Sequence, residues 1–197
     1  MLPRRSLLLG AVAALALTAA GCAPPWQVIV QAVPDPFIQQ RRFALLPTDF
    51  SGLRVGEKSE GEYLASKDPE QQRSFAGDKE GINGEFVRSL LAVSHGNAIE
   101  VVLATGPTDA PFVIRPMIQL VEPGFEALIV KAPARVEAIV RITAADGRVL
   151  DEITVAATSD DSATGFGERF SSGGRLRLAG KAIGVYVAKY LRTRVEP

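Results

Sequence analysis

The hydrophobic pattern divides the first half of the chain into apolar runs and one long polar stretch. Phe43 to Pro47 is a compact apolar run, typical of a buried first strand. Val28 to Val33 is also apolar but is set among prolines, so it fits either a tether or an edge strand. Ser51 to Gly81 is rich in Gly, Glu, Lys, Asp and Gln. We therefore predict a long polar surface loop over residues 51–81.

Two later stretches have helical spacing. Ile82, Phe86 and Leu90 recur at intervals of four, and Gly96-Asn97 follows as a stop, which predicts an amphipathic helix within Asp78 to Ser94. The stretch from Arg175 to Arg194 has one apolar side and predicts a closing helix whose entry is capped by serine.

The remaining apolar stretches alternate as strands do. Pro116 places its strand at an edge or a bulge, and Asp146-Gly147 predicts a hairpin in which both turn positions have positive φ. The predicted strands are Ile99 to Leu103, Phe112 to Val121, Phe125 to Lys131, Arg135 to Thr143 and Val149 to Ala157. The pattern as a whole predicts an α+β fold, with an antiparallel-rich sheet of about 4–6 strands packed by two amphipathic helices, one of them C-terminal.

The N-terminus has the three-part plan of an export signal. Arg4 and Arg5 form a cationic start, Leu7 to Ala20 is uncharged and apolar, and small residues precede Cys22. The apolar run is shorter than the roughly 20 residues that span a bilayer, so we predict a cleaved leader rather than a permanent span.

The end of this leader, Ala19-Ala20-Gly21-Cys22, resembles the lipobox of bacterial lipoproteins. The resemblance implies cleavage before Cys22 and lipid attachment to its thiol, and Ala23 implies sorting to an outer membrane, facing the periplasm, if the cell has one. The alternative is an ordinary signal peptide with an incidental cysteine. Arg4-Arg5-Ser6-Leu7-Leu8 also resembles a twin-arginine motif, and the export route stays open between that route and the general secretory one.

These boundaries predict a lipoprotein signal peptide at 1–21, a tether at 22–41 and a single α/β domain at 42–197. Composition then narrows the partners. The chain has 22 basic and 22 acidic residues, so it has no net field to attract nucleic acid. One cysteine and one histidine exclude an intramolecular disulfide and a cluster of several histidines around a metal ion.

No residue pattern indicates catalysis. His95 lies at a predicted helix end, where histidine commonly caps carbonyl groups. The acidic groups lack the ligand spacing of a calcium loop, and the glycine-containing segments lack phosphate-loop and dinucleotide-binding signatures. We predict no catalytic residue, no cofactor and no metal. The segments considered were Glu57, Glu60, Glu62, Asp160-Asp161, Gly165-Phe166-Gly167 and Ser171-Ser172-Gly173-Gly174.

The order of elements resembles small α/β domains of uncharacterised bacterial lipoproteins, distantly similar to curli-secretion and transport-auxiliary lipoproteins. Three stretches carry the resemblance: Phe112 to Pro116, Glu122 to Phe125 and Asp146 to Ile153. It implies a non-enzymatic accessory or structural subunit of an envelope assembly, secretion or transport complex, held to the membrane through Cys22 and binding other envelope proteins.

A different class of function stays open from the residues alone. The chain would then be a binding module, on the periplasmic face, for a peptide, a glycan or a small apolar ligand. Its contacts would come from aromatic residues in the two polar segments, and an enzyme with an unrecognised site is a third alternative. The candidate contact residues are Tyr63, Phe75, Phe166 and Phe170.

Overall fold

The computed structural model describes residues 23–106, 108–126, 131–162 and 171–196. Three helices occur in these ranges: α1 (Glu60–Ala65), α2 (Pro69–Gly96) and α3 (Ser172–Val195). The strands are β1 (Trp26–Gln31), β2 (Arg42–Leu45), β3 (Arg54–Val55), β4 (Lys58–Ser59), β5 (Glu100–Leu103), β6 (Phe112–Glu122), β7 (Phe125–Glu126), β8 (Lys131–Ala132), β9 (Arg135–Ala144) and β10 (Val149–Thr158).

The main sheet is mixed, and within the described ranges it has eight strands. Its central path runs β1-β10-β9-β6-β2-β5, with β3 and β4 joined beside β6. The four strands from β1 to β6 are antiparallel, whereas β2 is parallel to both of its neighbours. The predicted α+β class and the C-terminal helix are therefore confirmed. The sheet is larger than expected and not purely antiparallel, because α2 carries the chain from β2 back to a parallel β5.

The β9–β10 hairpin forms at Asp146-Gly147, but its turn differs from the predicted one. Only Gly147 has positive φ, at 88°. The Gly147 N–H donates to the Ala144 carbonyl at 3.0 Å, and the Ala144 N–H donates to the Arg148 carbonyl at 2.9 Å. The loop therefore has three residues, with glycine in the bulge position, and the Asp146 side chain accepts from the Arg148 N–H at 2.9 Å.

Pro116 lies in a central strand and not at an edge, and the register irregularity of this strand falls after it, between Ile118 and Leu120. It is opposite Val140 on β9, and its carbonyl accepts from the Asp49 N–H on the other side at 2.9 Å. The missing proline N–H faces the same side as that carbonyl, where β2 has ended and β3 has not begun. Pro116 is tolerated in this central strand because the neighbouring strand is interrupted beside it, so no ladder hydrogen bond requires a proline N–H.

The strand predicted over Phe125 to Lys131 is described only at its two ends, because residues 127–130 lie outside the described ranges. Phe125–Glu126 and Lys131–Ala132 are two-residue strands that pair with each other in a separate small sheet. β6 instead pairs directly with β9. The glycine before β7, Gly124, has φ of 64°, and an added Cβ there would overlap the backbone of residues 132–134.

Residues 51–81 are not the long polar loop that we predicted. They contain β3, β4, α1 and the first turns of α2. The Ser59 hydroxyl and the Glu62 carboxylate form a capping box at α1, and Asp68 caps α2 with Pro69 following it. Helical structure forms here although only Phe75 of the first three turns of α2 is buried, which explains the missing apolar pattern.

The tether predicted at 22–41 is largely part of the domain. Trp26–Gln31 forms β1, an edge strand paired with β10, so the strand alternative for Val28 to Val33 is the one that occurs. Phe37 is completely buried and packs against Phe43 and Phe112, with ring centroids 6.0 and 4.8 Å apart. The described domain therefore begins well before residue 42.

Both long helices lie on one face of the sheet. α3 packs on β9 and β10, and α2 packs on α3 and β5. Glycines bring the two helices close together, since an added Cβ at Gly180 would lie 2.6 Å from the Ile82 carbonyl oxygen. The predicted apolar sides are buried as expected: Ile82, Phe86 and Leu90 of α2, and Leu176, Ala179, Ile183, Val187, Tyr190 and Leu191 of α3.

Candidate functional site

A buried ionic network joins the N-terminal segment, residues 23–40, to the end of α3. Asp151 of β10 is fully buried and accepts from Arg194 Nε at 2.7 Å and from the Ala32 N–H at 3.0 Å. Arg194 also pairs with Asp35 and donates to the Ala32 carbonyl at 3.2 Å. The Asp151 carboxylate and the Arg194 guanidinium thus bind the backbone of Ala32, and the guanidinium also binds the side chain of Asp35. These charge-assisted contacts fix the segment to the domain.

Tyr190 completes the network. Its hydroxyl donates to Asp151, and burial together with that hydrogen bond raises the pKa of Tyr190 well above its ordinary value. Burial alone would lower the pKa of Arg194, but its bonds to Asp151 and the nearby Asp35 charge raise it instead. Both groups therefore keep their protons, and Arg194 keeps its charge. The network is a structural clamp, because none of its protons is available for transfer near neutral pH.

Two of the four predicted contact residues, Tyr63 and Phe75, lie within the described ranges, and the structure brings them together. Phe75 is 3% exposed and belongs to the core, and Tyr63 packs on it with ring centroids 5.0 Å apart. Lys67 lies over the Tyr63 ring at 4.9 Å. Phe166, Phe170 and the predicted lipid attachment residue Cys22 lie outside the described residues.

Three of the acidic residues considered as metal ligands have structural partners. Glu62 caps α1, Glu60 pairs with Lys79 at 2.5 Å, and Asp161 accepts from the Thr158 N–H at 2.6 Å. His95 is exposed in the last turn of α2. Within the described ranges, no three acidic, histidine or cysteine residues are grouped as metal ligands would be.

The candidate site is a crevice of about 410 Å³ beside the carboxyl ends of β2 and β5. This volume lies within the usual range for small-molecule sites, about 300–1,000 Å³. Parallel strands ending side by side, with the chain leaving in two directions, commonly form such a crevice. One turn of α2 forms its wall, and apolar groups dominate. It is lined by Leu45, Leu46, Pro47, Thr48, Asn83, Gly84, Val87, Arg88, Leu103, Ala104 and Thr105.

Two polar atoms set this crevice apart from an ordinary apolar depression. The side-chain oxygens of Thr48 (Oγ1) and Asn83 (Oδ1) are buried and have no hydrogen-bond partner in the described part of the chain. Each such oxygen costs about 1–3 kcal/mol. Both residues line the crevice. The crevice thus offers an apolar wall and two groups that can bond a ligand.

A second cavity, of about 230 Å³, lies on the sheet face opposite the helices. Arg115 and Arg141 are directly opposite each other on β6 and β9 and line it together with Asp49. Arg141 pairs with Glu152, and Arg115 Nε lies 3.4 Å from Thr143 Oγ1. These existing partners occupy the arginines, so the cavity is a weaker candidate than the crevice.

Sequence reasoning missed both the clamp and the crevice. A polar residue on the core-facing side of β10, Asp151, was the available signal for the clamp. Arg194 similarly follows Val187 and Tyr190 on the buried side of α3. Nothing in the local sequence marked Thr48 or Asn83, because their crevice depends on parallel pairing between distant strands.

The described part of the chain is thus a mixed sheet with long helices on one face. No protein-family model matches the sequence, and no curated protein matches it either. Among solved structures, the PelC dodecamer from Paraburkholderia phytofirmans is similar at a TM-score of 0.42 and 10% identity, over 82% of this chain and 96% of that chain. The hypothetical protein CT253 from Chlamydia trachomatis is similar at 0.40 and 15% identity, over 76% and 96%.

Proposed function

We propose that this protein is a lipid-anchored component of the bacterial envelope, non-enzymatic, with the lipid on Cys22. The observation that carries the proposal is the sequence of the leader, which ends in small residues before the single cysteine. Several acyl chains on that cysteine would make the attachment stable, since each buried methylene contributes about 0.8 kcal/mol. No helix of the described residues is both long and apolar enough to cross a bilayer.

Fractionation of the Cys22→Ala variant tests this anchor. We expect the wild-type protein in the membrane pellet and the variant in the soluble envelope fraction, with the same thermal unfolding curve for both. A serine-to-alanine change in the leader, Ser6→Ala, is the matched control and should leave the protein on the membrane. Membrane retention of Cys22→Ala would overturn the proposal.

We further propose that the domain is an accessory or structural subunit of an envelope assembly. The sheet face opposite the helices supports this role, because it presents the ion-paired Arg135 and Arg141 beside half-buried Ile139, a mixture typical of protein interfaces. In-cell crosslinking followed by gentle detergent extraction provides the test. We expect crosslinked partners that disappear in an Ile139→Asp variant but persist in Leu103→Asp, on the edge strand β5. A lone monomer in both would count against the role.

The crevice favours a second function, binding of a small neutral ligand. Apolar lining and unpartnered Thr48 and Asn83 oxygens suit a molecule with an apolar body and one hydroxyl group. Photolabelling with para-hydroxymethyl benzophenone, followed by peptide mapping, is a direct probe. Label is expected on the peptides that contain Val87 and Leu103.

Two variants make this labelling specific. Val87→Trp should fill the crevice and remove most of the label, whereas Ala76→Trp, three turns earlier on an exposed part of α2, should leave it unchanged. Asn83→Leu should reduce labelling by the hydroxyl probe more than labelling by benzophenone itself. Label spread evenly over the surface, and insensitive to Val87→Trp, would exclude the crevice as a binding site.

A further inference from the structure

The N-terminal segment, residues 23–40, presents an unusually apolar surface. Its exposed apolar side chains are between 40% and 90% accessible, and Val33 has the highest value. Four lie on β1 or just after it, and the fifth follows Phe37. They are Val28, Ile29, Val30, Val33 and Ile38.

The same segment is nearly free of charge. Asp35 is its single charged residue, although 22% of the whole chain is charged. The Asp35 carboxylate is already neutralised by Arg194. Contact with an apolar phase would therefore not require the removal of water from an unpaired charge.

The distance from the predicted lipid is short. Only residues 23–25 separate Cys22 from the first residue of β1, so a fully extended chain spans at most about 14 Å between Cys22 and Trp26. The clamp of Asp151 and Arg194 then prevents this segment from peeling away from the domain. A lipid on Cys22 would consequently bring the β1 edge to the membrane.

We infer that the β1 edge and the turn after it rest on the surface of the lipid bilayer, with Val33 and Ile38 in its interfacial region. This inference rests on the proposed lipid at Cys22. The free backbone groups of an edge strand need hydrogen-bond partners, so β1 lies at headgroup depth rather than in the hydrocarbon core. A register irregularity between Val28 and Val30, and prolines on both sides of β1, disfavour pairing with a second copy.

A pair of tryptophan variants tests the orientation. Trp26 is the single tryptophan of the chain, so Trp26→Phe gives a silent background. Val33→Trp and Leu103→Trp then place one reporter at each edge of the sheet, and both original side chains are well exposed, at 90% and 65%. The six strands of the central path include both edges, so five strand spacings of about 4.8 Å place the edges roughly 24 Å apart.

The full lipidated chain is reconstituted in vesicles of phosphatidylethanolamine and phosphatidylglycerol that contain a headgroup nitroxide lipid. We expect the tryptophan at position 33 to emit at shorter wavelength and to lose most of its fluorescence, while the one at position 103 stays water-like. An added Ile38→Asp substitution should restore much of the emission at position 33.

Equal quenching at both positions, or none at position 33 in protein whose Cys22 carries lipid by mass spectrometry, would overturn the inference. Absence of lipid on Cys22 would instead overturn the proposed function. Shielding of position 33 that appears only at high protein density in the vesicles would identify a second copy as the occupant, and this outcome also contradicts the inference.

Discussion

Asp151 on β10 and Arg194 on the last turn of α3 form a buried ion pair, with Arg194 Nε 2.7 Å from Asp151 Oδ2. Asp151 is completely buried, and Arg194 is 7% exposed. The pair also binds the backbone of Ala32. The carboxylate of Asp151 therefore joins β10, α3 and the N-terminal segment. This clamp makes a membrane anchor on Cys22 equivalent to an anchor on the domain itself.

Removal of Asp151 should destabilise the protein strongly. Asp151→Ala leaves the guanidinium of Arg194 and the hydroxyl of Tyr190 without their shared acceptor, and breaking a buried pair in this way costs about 3–5 kcal/mol. Chemical denaturation of the purified protein measures the change. Glu137→Ala, which breaks an exposed pair with Arg135, is the control and should cost less than about 1 kcal/mol. Similar losses in both variants would show that the clamp has no special role.

Substitution of a glycine of α3 by alanine should change the stability of the fold in the opposite direction to the same substitution on the exposed part of α2. An added methyl group at Gly184 would overlap Ser89 Oγ and the Phe86 carbonyl, so Gly184→Ala should destabilise the fold by about 1–3 kcal/mol or more. Gly77 lies inside α2 with open space around it, and Gly77→Ala should stabilise by about 0.5–1 kcal/mol. Thermal unfolding compares the two, and equal effects would contradict the close helix contact.

The protein without a ligand in the crevice should become more stable when the unpartnered hydroxyl of Thr48 is removed. Thr48→Val replaces a buried oxygen that has no partner with a methyl group, and we expect about 1 kcal/mol of stabilisation together with weaker labelling by the hydroxyl probe. Thr143→Val is the matched control, because that buried hydroxyl accepts from Arg115 Nε. It should destabilise. Destabilisation by Thr48→Val would mean that this hydroxyl is already satisfied in solution.

The capping box of α1 gives a pH-dependent prediction. Hydrogen bonds from the Ser59 hydroxyl and backbone lower the pKa of Glu62 below its ordinary value of 4.5. A lowered pKa means that the folded state favours the carboxylate, so this contribution to α1 is present above pH 4.5 and is lost as the pH falls through the lowered pKa. Ser59→Ala should move the pKa of Glu62 back towards 4.5 in an NMR titration. An unchanged titration curve would show that the cap does not form.

Sequence reasoning found the elements whose apolar periodicity is local. The meander of β6, β9 and β10 and the buried face of α3 were predictable because alternating or helical spacing directly marks the side that packs. The first turns of α2 escaped because most of their side chains face solvent, although Asp68-Pro69 is a good start signal. Parallel pairing of β2 with β5 and β6 depends on where α2 returns the chain, and no local pattern records that.

The site was less predictable for a related reason. Tyr63 and Phe75 looked available because they stood alone among polar residues, but their neighbours in the core come from other elements. Thr48 and Asn83 are 35 positions apart by their residue numbers. They line the same crevice only because the folded sheet and α2 lie side by side. Cys22, in contrast, was identified from its immediate neighbours alone and stays a prediction.

The measurement that tests the central claim most directly is the intact mass of the mature protein purified from membranes, with fragmentation of its N-terminus. Our account predicts a chain that begins at Cys22 and carries a diacylglyceryl group on the thiol. A mature chain that begins elsewhere and carries no lipid, or one that retains residues 1–21, would contradict it.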